Sequence, residues 1–226
     1  MNILYEDNHI IAVNKQVSDI VQGDKTGDIS LDIKLKQYIK EKYNKPGNVF
    51  LGVAHRLDRP VSGVVLFART SKSLTRLNKM FKQKEIKKIY WAVVKVPPPK
   101  QNDTLTHYLV RNTKLNKSFV YEKEVPDSKL AILHYKLLFK SSRYYLLEIE
   151  LETGRHHQIR CQLAKINCPV KGDLKYGFDR SNKNAGIHLH AKKASFIHPV
   201  SNQPVVIEAP PPKENLWDEF LKQSRG

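Results

Sequence analysis

Val49-Phe50-Leu51-Gly52-Val53-Ala54-His55-Arg56-Leu57-Asp58-Arg59-Pro60-Val61-Ser62-Gly63-Val64-Val65-Leu66-Phe67-Ala68 is a polar turn set between two apolar runs. Val49–Val53 and Val64–Ala68 are short, apolar and rich in β-branched residues, which predicts two buried strands. The link from His55 to Gly63 carries the charge. Polar residues caught between buried strands belong at a cleft or at the end of a sheet.

Working outward, Ile3–Glu6 and His9–Val13 are β-prone runs split by Asp7-Asn8, the pattern of a hairpin. Leu31, Leu35, Tyr38 and Ile39 recur at helical spacing, so Leu31–Tyr43 is expected as an amphipathic helix ended by Pro46-Gly47. Leu74, Leu77 and Phe81 mark a second helix that Ser71 could cap. Ile89–Lys95 reads as a strand closed by Val96-Pro97-Pro98-Pro99. That proline run is the best linker candidate, and the similar strands on both sides make it a loop within one domain. Leu130–Leu138 and Tyr144–Leu151 form a strand pair around Ser141-Ser142-Arg143, and Thr153-Gly154 opens a helix carrying Ile159, Leu163 and Ile166. Ile187–Phe196 and Val205–Glu208 are the last strands, and Leu216, Phe220 and Leu221 mark a closing helix. Strands come in runs and hairpins, not in strict alternation with helices. That order predicts an α+β fold with a mainly antiparallel mixed sheet and flanking helices.

The 226 residues carry a net charge of +17, and 40% of them are hydrophobic. The chain can build a core, and it favours polyanions at its surface. RNA or DNA is the obvious partner, since each phosphate neutralised releases counterions. A solvated lysine-rich surface gives the same count. Cys161 and Cys168 lack C-x-x-C spacing and have no second pair to complete a zinc site. No apolar stretch reaches the ~18 residues of a membrane span, and no basic-then-apolar leader opens the chain. A cytoplasmic protein is expected, with no membrane association and no obligate protein partner.

Asp58 is a lone carboxylate between Arg56 and Arg59. An ionised carboxylate there can serve as nucleophile or base; an aspartate before a proline is also an ordinary turn former. In Gly154-Arg155-His156-His157-Gln158-Ile159-Arg160, two arginines crowd a predicted helix start, where unpaired N–H groups already carry positive charge. A phosphate, or a carboxylate such as Asp58, should compensate. His188 and His190 alternate along a strand and so share a face, whereas His156 and His157, as helix neighbours, should diverge. No H-E-x-x-H, zinc-deaminase or glycine-rich nucleotide pattern exists, so neither a metal site nor a nucleotide cofactor is expected. Phe67, Tyr90, Trp91 and Tyr176 could stack on a base or simply fill the core.

His55–Ala68 resembles the H-R-L-D-x-x-T-S-G signature of RluA-type pseudouridine synthases. Ile86–Val94 resembles that family's K-x-Y-x-A-x-V segment, and Thr153–Ala164 its T-G-R-x-H-Q-I-R-x-x-L-A helix. Gly172–Gly177 matches G-D-x-x-Y-G, and Leu189-His190-Ala191 with His198-Pro199 matches L-H-A followed by H-P. The five segments stand in family order across almost the whole chain.

The resemblance implies a pseudouridine synthase-like catalytic fold over residues 1–226, as a single domain without a separate N-terminal RNA-binding domain. It implies isomerisation of uridine to pseudouridine in rRNA or tRNA, with the base flipped out of its stack. It casts Asp58 as the catalytic aspartate, Tyr90 as the tyrosine against the target base, and Arg160 as the cation paired with the aspartate. Arg56 is implied to hold the RNA open, and Arg155 and Lys15 are given looser RNA contacts. The reaction oxidises nothing and imports no group, so no cofactor is called for. Two departures stand out: Val61 replaces the signature threonine, and Gln16-Val17-Ser18 replaces P-x-G after Asn14-Lys15. The rival readings are a non-catalytic RNA-binding protein that retains the synthase fold, and another base- or sugar-acting enzyme. A glycosidase needs two carboxylates flanking the bond, and the motifs offer one clear candidate.

Overall fold

The computed structural model describes residues 1–23 and 27–223. The chain divides into two compact units, Met1–Ile86 with Ala191–Pro210, and Lys87–His190 with the segment from Pro211 onward.

In the first unit, β1 (Ile3–Glu6) and β2 (Ile10–Lys15) form the expected antiparallel hairpin. Asp7 makes the turn, its Oδ1 accepting from the backbone N–H groups of His9 and Ile10 at 2.7 Å each. Next come α1 (Leu31–Lys42), β3 (Gly52–Val53), β4 (Ser62–Ala68) and α2 (Ser71–Lys82). β10 (Leu189–Ile197) and β11 (Pro204–Glu208) pair antiparallel. β2 pairs antiparallel with β4 and is buried along its length, as is β4. Both of its faces are covered. Ile11, Val13, Val65 and Phe67 pack with Leu31, Leu35 and Ile39 of α1; Ile10, Ala12, Val64 and Leu66 pack with Leu77 and Met80 of α2. Two covered faces explain why these strands are unbroken apolar runs instead of alternating ones.

Two local expectations change here. The cap of α2 is Thr70, whose Oγ1 accepts from Ser73 N at 3.1 Å; Ser71 is the first helical residue. The strand expected over Val49–Val53 shrinks to Gly52–Val53, paired with Phe67–Ala68. Phe50 points outward, 46% exposed, so a longer buried strand has no alternation to support it.

The second unit orders its strands β5-β9-β8-β6-β7, each pair antiparallel. They are β5 (Lys87–Val94), β6 (Asn102–Asn112), β7 (Lys117–Tyr121), β8 (Lys129–Lys140) and β9 (Tyr145–Leu151). α3 (Gln158–Lys165), a 3-10 turn (Leu174–Tyr176) and α4 (Asn215–Gln223) complete it. The proline run lies inside this unit, joining β5 to β6. The β6–β7 hairpin lay in a stretch that sequence patterning left blank. Trp217 and Phe220 of α4 bury against Trp91, Val93 and Leu146. The fold class is α+β.

Candidate active site

The loop that carries Asp58 is held from beneath. Lys15 ends β2, is 0% exposed, and donates all three ammonium protons to carbonyl oxygens: Gln16 at 3.0 Å, Arg59 at 3.0 Å and Val61 at 2.6 Å. Burial pulls its pKa down to about 8, opposed by the charges of Asp19 and Asp58. The RNA contact given to Lys15 is therefore corrected: its ammonium is spent on the loop's backbone and has no face toward a ligand. The loop closes through Val61 N donating to Asp58 O at 3.0 Å, and Ser18 N reaches Arg59 O at 3.1 Å. Asp58 itself is partly buried, and Arg56 is exposed.

The motif's other residues have local reasons. His55 accepts from Leu66 N at 3.0 Å through Nε2 and stacks obliquely on Phe81, tying the loop to both β4 and α2. Gly63 has φ +116, and a Cβ there would sit 2.3 Å from Ala191 O, so only glycine fits. Val61, in the threonine's place, is 3% exposed and suits that apolar seat.

In the second unit, Tyr90 lies on β5 opposite Ile149, 8% exposed. Its neighbour Trp91 points to the other face, toward α4. Phe67, Trp91 and Tyr176 are core residues as well.

The helix expected from Thr153 begins five residues later. His157 is its N-cap at φ 53, a left-handed conformation that interrupts any earlier turn. Thr153–His157 is instead a knot of side-chain hydrogen bonds. Gln158 Oε1 accepts from Thr153 Oγ1 at 2.8 Å and from Arg155 N at 2.9 Å, while Gln158 Nε2 donates to Ile132 O at 3.0 Å. With His157 off the helix, its ring stacks on His156 at 3.7 Å between centroids, contrary to the expected divergence. Arg155 stays exposed and donates from Nε to Leu130 O at 2.9 Å.

Arg160 lies in the first turn of α3, 5% exposed. Its Nε and Nη2 donate to Asp173 Oδ2 and Oδ1 at 2.7 and 2.9 Å, a two-pronged buried pair. The guanidinium also sits over the Tyr176 ring, 5.1 Å from its centroid. Tyr176 Oη accepts from Ser118 N at 2.8 Å and meets His157 Nδ1 at 2.9 Å. Asp173 and Tyr176 both belong to the G-D-x-x-Y-G segment, in which the sequence alone assigns Asp173 no role. The demand for a carboxylate near Arg160 was the signal that could have found it. Gly172 precedes Asp173 at φ +88, where a Cβ would fall 2.4 Å from Asn182 Nδ2.

His188 and His190 share a face, and both rings pack on Trp217, at 5.3 and 6.1 Å. Among the described residues, no three His, Cys, Asp or Glu side chains gather in a way that could hold a metal ion. No helix among them is long and apolar enough to cross a membrane.

A family model described as RNA pseudouridylate synthase matches residues 9–165. The tRNA pseudouridine synthase C of Salmonella typhimurium is 32% identical over 243 aligned residues, covering 99% of this chain and 89% of the relative. The ribosomal large subunit pseudouridine synthase C of Rickettsia prowazekii is 33% identical, covering 92% of this chain and 67% of the relative. Among solved structures, human RNA Pseudouridylate Synthase Domain Containing 4 superposes with a TM-score of 0.81 at 20% identity, covering 99% of this chain and 93% of its own.

Proposed function

We infer, for a chain that belongs to the RNA pseudouridylate synthase family, that Asp58 is its catalytic carboxylate and transfer RNA its substrate. The reaction breaks the bond from ribose C1′ to uracil N1, turns the base, and joins C1′ to C5. The proton on C5 is lost and N1 gains one, so the product is an isomer. Asp58 supplies the carboxylate at the sugar. The resemblance gives Tyr90 the place against the flipped base, and gives Arg160, which Asp173 holds within its own unit, the part of the cation in the reaction. Arg56 and Arg155, both exposed, contact the RNA backbone.

What supports the carboxylate is its seat. A residue that must meet one sugar atom has to be held within a fraction of an ångström, and the Lys15 ammonium ties down the carbonyls on both sides of Pro60. What supports transfer RNA is length. Four relatives named for tRNA are spanned over 89–95% of their own chains and a fifth over 58%, while two named for the large ribosomal subunit are spanned over 66–67%.

The test is tritium release from transfer RNA labelled at uridine C5, in a single turnover, with wild type and Asp58→Asn. Wild type should release label and the variant should not, with melting temperature and RNA affinity retained, because a group acting in the transition state shows in turnover. Release by the folded Asp58→Asn protein would end the assignment. Label released from large-subunit rRNA but not from transfer RNA would end the choice of substrate.

A further inference from the structure

The two long helices of the first unit treat their cations differently. α1 has four lysines, and three of them are matched: Lys34 pairs with Asp19 at 3.4 Å, Lys36 with Asp32 at 3.5 Å and Lys42 with Glu6 at 2.8 Å. α2 carries Lys72, Arg76, Lys79 and Lys82, and no aspartate or glutamate. Among the described residues, none of its three lysines lies in an ion pair. Arg76 is tied to backbone, donating from Nη1 to Pro199 O at 2.8 Å. Lys79 and Lys82, in the last turn, suit the helix dipole; Lys72, in a first turn without an acid, opposes it.

Helix geometry sets the unmatched charge in one row. At about 100° per residue, Lys72, Thr75, Lys79 and Lys82 fall within a sector of roughly 80°, and the row is about 15 Å long. All four are exposed, opposite the buried Ser73, Leu77 and Met80. Two carboxylates stand on the flank. Glu85, past the helix end, lines with Arg76 and Lys79 a hollow of about 460 Å³. Asp7, 2.9 Å from His198, already accepts from Tyr5, His9 and Ile10. The row also has a direction. Leu74, near the helix start, packs over Gly52, which pairs with Ala68 at the far end of β4. Phe81, near the helix end, meets the ring of His55 at 4.8 Å between centroids. The Lys82 end is thus the end beside the loop that carries Asp58.

We propose that Lys72, Lys79 and Lys82 form a phosphate rail on α2, which grips the backbone of the substrate RNA outside the uridine being modified. The proposal rests on the RNA-modifying reading above. Unpaired ammonium groups in a row complement a row of phosphates, and each contact releases counterions. Phosphate contacts position a nucleic acid without reading its bases, so the rail adds grip on flanking RNA and leaves the choice of target to the loop.

The experiment titrates full-length protein with fluorescent transfer RNA at salt concentrations from about 50 to 200 mM and, separately, follows tritium release. The triple variant Lys72→Gln, Lys79→Gln, Lys82→Gln keeps good helix formers on α2. It should flatten the log–log salt slope by about 0.7–0.9 per lysine, so that wild type's advantage in affinity shrinks about twenty- to fortyfold across that range. In tritium release the loss should fall on KM more than on kcat. Arginine at the same three positions keeps the charge and should keep the slope. Lys34→Gln, Lys36→Gln and Lys42→Gln on α1 remove the same charge from matched lysines and should change the slope less. An unchanged slope in the folded α2 glutamine variant overturns the rail. So does equal flattening by the α1 variant, since net charge would then be acting at a distance. Phosphatidylserine vesicles that bind wild type and not the α2 glutamine variant, with the RNA slope unmoved, would make the row a membrane contact and also overturn it. The two readings fail separately: tritium release by wild type upholds the synthase whatever the slopes give, and absent release leaves the slopes to judge the rail.

Discussion

The two units hold buried charge in opposite ways. In the first, a buried cation, Lys15, holds backbone: its three protons go to carbonyls and, among the described residues, no carboxylate is in hydrogen-bond contact with it. In the second, a buried cation, Arg160, is itself held, by a carboxylate that grips two of its nitrogens. The first arrangement fixes a loop and leaves its charge poorly compensated. The second fixes a side chain and compensates its charge within the unit. The comparison teaches that residues of one chemical class do different work. Lysine's compact point charge can serve three dipoles at once, whereas arginine's planar fork matches one carboxylate.

The sharpest way to break the comparison is Asp173→Ala. Arg160 and Asp173 side chains are 6% and 1% exposed, and removing one partner of such a pair costs about 3–5 kcal/mol. At this chain length the melting temperature should fall by roughly 10 °C or more. Replacing both, Arg160→Met with Asp173→Leu, should recover much of that loss, because no buried charge is left behind. If Asp173→Ala melts within about 1 °C of wild type, the pair is not the anchor of α3.

A smaller effect comes from Lys15→Met, and here pH separates the two designs. The carbonyls of Gln16, Arg59 and Val61 lose a donor each, for a cost of about 1–3 kcal/mol in all, since Arg59 O keeps Ser18 N. The folded pKa of Lys15 is near 8, against an ordinary 10.5. Between those values the unfolded chain binds more protons, so this group's contribution to stability rises with pH across that window. It is fullest above the ordinary value and is lost as pH falls through 8. Denaturant titrations of wild type and Lys15→Met should therefore diverge by about 3 kcal/mol in favour of wild type between pH 7.5 and 10.5. Parallel lines would mean that the ammonium is not desolvated. Arg160 should give no such window, because guanidinium does not deprotonate there.

The same contrast explains what was legible in the sequence. β2, β4, β5, β8 and β9 announced themselves as apolar runs, and α1, α2 and α4 by helical spacing, because one or both of their faces are buried. β6 and β7 did not: Leu105, His107 and Leu109 face α3 while Thr104, Thr106 and Arg111 dilute the pattern. That hairpin carries the exposed Phe119 and Tyr121, whereas the aromatic residues singled out from the sequence, Phe67, Tyr90, Trp91 and Tyr176, are buried. The start of α3 was misplaced because Thr153–His157 has helix-friendly residues, and nothing in a side chain's identity announces φ 53 at His157. The motifs single out Asp58 and Arg160. Their supports, Lys15 beneath one loop and Asp173 thirteen residues beyond α3's arginine, depend on chain reversals that spacing alone does not reveal.

The mildest test concerns the departure at Ser18. The family pattern has glycine there, and the structure keeps a glycine-like backbone: Ser18 sits at φ 72, exposed, with its N–H on Arg59 O at 3.1 Å. A non-glycine residue held left-handed costs about 1 kcal/mol or somewhat more. Glycine removes that cost, but it also gains freedom in the unfolded chain, worth roughly 0.5–1 kcal/mol in the other direction. The net expected for Ser18→Gly is a gain of a few tenths of a kcal/mol, near 1 °C in melting temperature, with tritium release unchanged. Ser18→Val is the informative opposite, since a β-branched residue tolerates that backbone worst. It should destabilise, and it should also slow turnover, because the strain is relieved by giving up the bond to Arg59 O, which Lys15 shares. If Ser18→Val loses stability but turns over like wild type, the clamp on Arg59 stabilises the fold without positioning Asp58, and the seat of the carboxylate reduces to Lys15 alone.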